Sequence, residues 1–216
     1  SNDLAAEQCA EQGVEMLTGI QEVDINGGKH RIVSRHMDQT GNVIAQYWLT
    51  ERLEKMGYTA EQQIFSAKGV NVYAVKTGTL YPDRAFMICG HYDAVAALEH
   101  LATGADDNAS GCAGVLEAAR LLKDTTLAFT VIFAFWDEEE QGLIGSKAFS
   151  SVWDKDDIKI EGVINMDMIG NDRNNDMRVE IHTRNFANSE HLARLMVEYN
   201  ELYDIGLDVE IRNPGT

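Results

Sequence analysis

The chain has 216 residues, 44% of them hydrophobic, which suffices for one α/β domain with a full core and leaves little room for two separate domains. Its 18 Lys and Arg against 35 Asp and Glu give a net charge of −17, which argues against nucleic acid and anionic membranes as partners, because both need basic surfaces. Three cysteines, Cys9, Cys89 and Cys112, show no CxxC spacing, so neither a disulfide framework nor a cysteine zinc site is indicated, and no apolar stretch reaches transmembrane length.

Taken in chain order, Leu4, Ala5, Cys9, Val14, Leu17 and Ile20 predict an amphipathic helix that Gly13 weakens. A second helix carries Val43, Ile44, Tyr47, Trp48, Leu49, Leu53 and Met56 at helical spacing and stops at Gly57. Strands are expected at Tyr58–Phe65 and Val70–Thr77, then a turn at Pro82-Asp83 into a buried strand that ends at His91. After a loop from Ala94 to Gly104, Asp107 or Asn108 can cap a helix that runs to Lys123. A strand at Phe129–Trp136, a helix starting between Gly142 and Ser146 and a strand at Gly162–Met168 complete an alternation that implies parallel neighbours with helices on both faces. Beyond lie a strand at Arg178–His182, a helix at Ser189–Tyr203, a strand at Leu207–Ile211 and a closing turn at 213–216. The fold class expected is therefore α/β, with a three-layer, mostly parallel central sheet.

Phe86-Met87-Ile88-Cys89, Val131–Trp136 and Val163-Ile164 read as strands buried on both faces, with Cys89, Cys112, Trp48, Tyr47, Phe133, Phe135 and Trp136 assigned to packing. Polar clusters follow each run directly: Gly90-His91-Tyr92-Asp93, Asp137-Glu138-Glu139-Glu140 and Asn165-Met166-Asp167. Open α/β sheets bind their ligands at the carboxyl ends of the strands. One His with several carboxylates at that edge is a ligand set for zinc or a similar divalent ion.

His91 and Asp93 face the same way at an extended strand end, so Asp93 can hold the imidazole in one tautomer while its other nitrogen binds metal. Asp106-Asp107 places a carboxylate pair at a helix start, where Asp107 can cap. Asp137 to Glu140 is a run of acids at a buried strand end, where repulsion is severe unless a cation compensates it; two adjacent glutamates can divide the work of ligand and general base. Asp167 stands alone in an apolar stretch, where burial without a partner would cost several kcal/mol.

These ordered motifs, densest in Gly90–Asp93, Gly104–Gly111, Glu139–Ser146 and Asn165–Gly170, resemble the zinc aminopeptidase family, a co-catalytic di-zinc family that includes secreted leucyl aminopeptidases, glutamate carboxypeptidases and glutaminyl cyclases. The resemblance implies that His91 and Asp167 bind one zinc, that Asp106 bridges to a second held by Glu140, and that Asp93 supports His91. It also implies a cis peptide joining Asp106 to Asp107. Glu139 would be the general base, taking the proton of a metal-bound hydroxide's parent water as the hydroxide attacks the N-terminal peptide bond of an oligopeptide. A secreted or periplasmic location follows from the resemblance alone.

The family's remaining ligand is a late histidine, and the sequence ends before its position; His182, in a predicted strand, does not match it. Read this way, residues 1–216 form a single zinc-peptidase domain lacking its C-terminal portion. Such a chain is expected to bind one zinc well, to bind the second weakly and to have impaired peptidase activity. Its partners would be a peptide with a free N-terminus and, over the missing region, a second copy in a homodimer or domain swap. Alternatives are a non-catalytic receptor of the same fold, a carboxypeptidase, for which the length leaves no room for inserted domains, and a glutaminyl cyclase.

Overall fold

A computed structural model describes residues 2–153 and 158–213. The chain divides into two compact units, Ser1–Gly170 and Asn171–Thr216. Of the turn expected at 213–216, residues 214–216 lie outside the described residues, as does the side chain of Cys9.

The first unit is built on a five-stranded sheet in the order β3-β4-β6-β5-β7. The three strands whose ends carry the polar clusters are parallel: β5 (Tyr81–His91) lies between β6 (Phe129–Trp136) and β7 (Lys159–Asn165). On the other side of β6, β4 (Val70–Lys76) and β3 (Ala60–Ile64) continue the sheet in antiparallel pairing. The alternation along β6 separates two cores, because successive side chains of a strand point to opposite faces. Phe133 and Phe135 pack with Trp48, Leu49 and Leu53 of α2 (Thr40–Lys55) and with Cys112, Val115 and Leu116 of α3 (Gly111–Leu122). Ile132, Ala134 and Trp136 pack on the opposite face with Met87, Cys89 and Phe149, the last from α4 (Ile144–Trp153). Helices on both faces of the sheet make the three layers that the strand and helix alternation predicts.

The first helix, α1 (Asn2–Leu17), ends three residues before the predicted Ile20, and Gly13 has a packing reason: a Cβ there would lie 3.3 Å from the Cβ of Ala113 on α3. A short hairpin of β1 (Val23–Ile25) and β2 (Gly28–His30) was not predicted, although its turn Asn26-Gly27, both at positive φ, is a strong short-range hairpin signal. Pro82 does not precede β5 but lies within it, where the pairing with β6 shifts register between Tyr81 and Ala85; a bulge tolerates the missing amide. Between Gly104 and α3 the chain makes a kinked turn closed by the Ala109 amide on Gly104 O at 3.0 Å, with Asp107 and Asn108 in non-helical conformation.

Two packing expectations are corrected. Strand β7 is an edge strand, so Val163 and Ile164 are exposed on it instead of buried on both faces. Tyr47 is about half exposed, since it lies on the outer side of α2, whereas Trp48, Phe133, Phe135, Trp136, Cys89 and Cys112 are buried. In the second unit, β8 (Arg178–His182) pairs in parallel with β9 (Asp208–Arg212), with α5 (Ser189–Leu202) between them in sequence. Among the described residues, no helix is long and apolar enough to cross a membrane.

Phe133 is fully buried and its ring centroid lies 5.4 Å from that of Tyr58. Truncating it in Phe133→Ala is expected to cost about 3–5 kcal/mol in urea unfolding, whereas Ile164→Ala on the exposed edge should change stability by about 0.5 kcal/mol.

Candidate metal centre

Strand pairing continues past the ends of the strands and sets the floor of the site: the Tyr92 amide donates to Trp136 O at 2.8 Å and the Met166 amide to Cys89 O at 2.8 Å. His91, Asp137 and Asp167 are thereby delivered to one edge of the sheet. The fourth contribution comes from the Gly104–Gly111 loop. Asn108 donates from Nδ2 to Met166 O at 2.9 Å and accepts the Gly111 amide at 2.9 Å, so it caps α3 and fastens the loop to the end of β7. Asp107 has no such capping bond. Gly111 is required by proximity, since a Cβ there would lie 2.3 Å from both Asn108 Oδ1 and Met166 O.

The loop geometry changes one assignment. Asp106 Oδ1 accepts the Gly170 amide at 2.8 Å. Asp107 instead places Oδ1 at 3.0 Å from His91 Nε2, and Asp167 Oδ1 lies 3.6 Å from the same nitrogen. One donor atom from each of His91, Asp107 and Asp167 lies within 4.8 Å of the other two. The carboxylate that joins His91 and Asp167 is therefore Asp107, not the Asp106 expected from the sequence. The cis peptide likewise lies one bond later than expected, between Asp107 and Asn108.

Asp93 is fully buried and its two oxygens have separate tasks. Oδ1 lies 3.3 Å from His91 Nδ1 and accepts the Glu139 amide at 3.1 Å, while Oδ2 accepts the Glu140 amide at 3.1 Å. The turn bearing the two glutamates is thus fixed to the end of β5 through one carboxylate. Asp137 does a similar job on the other side: Oδ1 accepts Asn42 Nδ2 at 2.8 Å and the Glu138 amide at 3.0 Å, and Oδ2 accepts the Val70 amide at 3.1 Å. It is the buried anchor of the acidic run, and Glu138, at φ +53, follows it in the left-handed region before the chain presents Glu139.

The electrostatics fit a cation. Burial alone would lower the His91 imidazole, but its hydrogen bonds and attraction to Asp167 and Asp93 outweigh that and raise it to about 10. Burial raises the Glu139 carboxyl, reinforced by Asp167, Asp93 and Asp107 and opposed by His91. Glu140 is raised first by burial and then by Asp107. Imidazole nitrogen with carboxylate oxygen is the donor chemistry of zinc, and a divalent ion would relieve this mutual repulsion. The three-atom group does not include Glu139 or Glu140. Asp167 is exposed, contrary to the expectation of a buried lone carboxylate, because it follows the edge strand. His182 is exposed on β8 beside Glu180, at 3.3 Å.

The sequence profile of peptidase family M28 matches residues 71–209, which span β4, all three parallel strands and the cluster residues. The chain belongs to peptidase family M28. This M28 chain is 30% identical over 177 residues to a probable zinc metalloprotease of Pyricularia oryzae, a match covering 73% of the chain and 35% of that relative. It therefore spans roughly a third of the length of that curated relative. Among solved structures, it is similar to the LapA aminopeptidase of Legionella pneumophila, with a TM-score of 0.71 at 21% identity over 98% of this chain and 58% of that one. It is also similar to the glutaminyl cyclase of Porphyromonas gingivalis, with a TM-score of 0.70 at 19% identity over 100% of this chain and 76% of that one. At such identities the likeness establishes the fold alone.

The anchoring role of Asp137 has a pH signature. Burial raises its carboxyl from 3.8 to about 6, against the lowering effect of its bonds to Asn42, Val70 and Tyr92. The folded state then holds a proton that the unfolded state has released, so this group's contribution is fully present below about 4 and is lost as pH rises through about 6. Asp137→Asn is expected to flatten that part of the stability profile, measured as the urea midpoint of parent and variant at intervals from pH 4 to pH 7; parallel profiles would contradict it.

Proposed function

We propose that this M28 chain forms the metal-binding and proton-transferring part of a zinc-dependent exopeptidase, most simply an aminopeptidase acting on peptides with a free N-terminus. The observation that carries the reading is the convergence of His91 Nε2, Asp107 and Asp167 on one point at the sheet edge, with the Glu139-Glu140 turn tied to the same strand end by Asp93. His91, Asp107 and Asp167 would hold zinc, and Glu140, whose carboxyl feels Asp107 as its strongest charged neighbour, is the residue available for a second ion. A bound zinc supplies Lewis acidity for a carbonyl oxygen and acidifies water.

The chain's own residues do the rest. Asp93 keeps His91 oriented through Nδ1, leaving Nε2 as the metal-facing nitrogen. Glu139, raised by burial and by surrounding carboxylates, is suited to accept a proton from the attacking water and to return it to the departing amine nitrogen. Its main-chain amide is held by Asp93 Oδ1 at 3.1 Å, which fixes where the side chain starts. Asp106, occupied by the Gly170 amide, shapes the loop and is not assigned as a ligand.

Two measurements test the reading. In equilibrium dialysis, Asp107→Asn and His91→Ala are expected to lose zinc while Asp106→Asn retains it; retention by Asp107→Asn with loss in Asp106→Asn would restore the opposite assignment. In release of a chromogenic amine from aminoacyl anilides, activity should be abolished by a chelator, and Glu139→Gln should be slower by about 10²–10⁴-fold. Chelator-insensitive turnover, or a Glu139→Gln variant as active as the parent, would refute the exopeptidase mechanism.

A further inference from the structure

Arg35 is the largest fully buried charged residue of the first unit, and none of its hydrogen bonds goes to a carboxylate. Its guanidinium donates instead to four main-chain carbonyls: from Nε to Tyr92 O at 2.6 Å, from Nη1 to Leu17 O at 2.6 Å and to Thr103 O, and from Nη2 to Gly104 O at 2.8 Å. Its own main chain joins the same segments, with its amide donating to Ala102 O at 2.8 Å and its carbonyl accepting the Ala94 amide at 3.2 Å.

The positions of those acceptors matter more than their number. Tyr92 lies between His91 and Asp93, so Nε grips the tip of β5 that carries the imidazole and its supporting carboxylate. Thr103 and Gly104 are the hinge from which the loop departs towards Asp107, and Gly104 is at φ +52, where its carbonyl also accepts the Ala109 amide at 3.0 Å. Leu17 is the last residue of α1, where free carbonyls and the helix dipole favour a cation. One rigid planar group therefore spans both segments that bring His91 and Asp107 to 3.0 Å, while an ammonium, with three donors on one atom, could not reach acceptors on all sides.

The choice of carbonyl partners has an electrostatic consequence. Burial pulls the guanidinium down from its ordinary value, and Cys112, Asp93 and Asp107 push it back up, so the charge is felt by the site's carboxylates without a direct ion pair. Asp93 keeps its oxygens for His91 and the glutamate amides, and Asp107 keeps its own for His91 Nε2. A salt bridge from Arg35 to either would remove an oxygen from the cluster.

We infer that Arg35 is a positioning residue of the metal centre: by clamping the main chain at Tyr92 and at Thr103-Gly104, it sets the separation of His91 from Asp107 and so the affinity and geometry of the zinc site. The inference rests on the zinc reading given above and deepens it. The test uses the 216-residue chain and compares parent, Arg35→Lys, Arg35→Met and His91→Ala for zinc affinity, by competition with a chromophoric chelator, and for the visible spectrum of bound cobalt(II). His91→Ala should abolish tight zinc binding. Arg35→Lys, which keeps the charge but not the fork, should weaken zinc by about 10–100-fold and shift the cobalt band, while the chelator-treated variant still unfolds cooperatively.

If Arg35→Lys weakens zinc by less than about 10-fold and gives the parent's cobalt spectrum while His91→Ala loses the metal, the positioning role is overturned and the zinc site stands. If His91→Ala binds zinc as the parent does, the zinc site falls and the inference falls with it. Should both Arg35 variants fail to fold, the Arg35 Nε–H resonance of the parent decides the matter by NMR. It should shift in step with the first equivalent of zinc, and a resonance indifferent to zinc would overturn the inference.

Discussion

The buried carboxylate of Asp93 is the constraint on which the site depends. A fully desolvated carboxylate is tolerable only with its oxygens occupied, and here the partners are the imidazole of His91 and the consecutive amides of Glu139 and Glu140. The end of β5 and the turn after β6 are consequently held in one relative position, and Glu139 and Glu140 inherit a common frame. The neighbouring Asp137 secures the same turn from the other side by bonds to Asn42, Val70 and Glu138.

Gathering so many carboxylates at one sheet edge is unfavourable in itself; burial raises the Glu139 and Glu140 carboxyls, and the neighbouring carboxylates add to it against the lowering effect of His91. The fold meets this without neutralising the donor atoms. Arg35 supplies a buried positive charge whose hydrogen bonds fall on carbonyls, so Asp107 and Asp167 each keep an oxygen directed at His91. Membership of peptidase family M28 gives this arrangement its functional context, and the LapA likeness places its parallel strands in a known fold.

Much of the architecture is legible from local patterning. The seven apolar residues of β6, interrupted only by Thr130, and the two polar clusters beside it announce a buried parallel strand with chemistry at its end, and β8, α2 and α5 follow from alternation and helical period. The β1–β2 hairpin was signalled by Asn26-Gly27 but is flanked by too few apolar residues for its strands to register. The edge position of β7 was not legible, because Val163-Ile164 has the composition of a central strand and lateral order in a sheet is set by non-local pairing. Arg35 carries no motif at all; only the meeting of three distant segments around it reveals its task.

The sequence by itself determined which residue types reach the sheet edge, since strand ends, periodicity and the clusters that follow them are local properties of the chain. It could not choose between Asp106 and Asp107. Adjacent carboxylates in a turn differ only in the direction their side chains leave the backbone, and that direction depends on Asn108 bonding to Met166 and Gly111 and on Gly170 occupying Asp106. The tertiary structure decided it by placing Asp107, and not its neighbour, against His91.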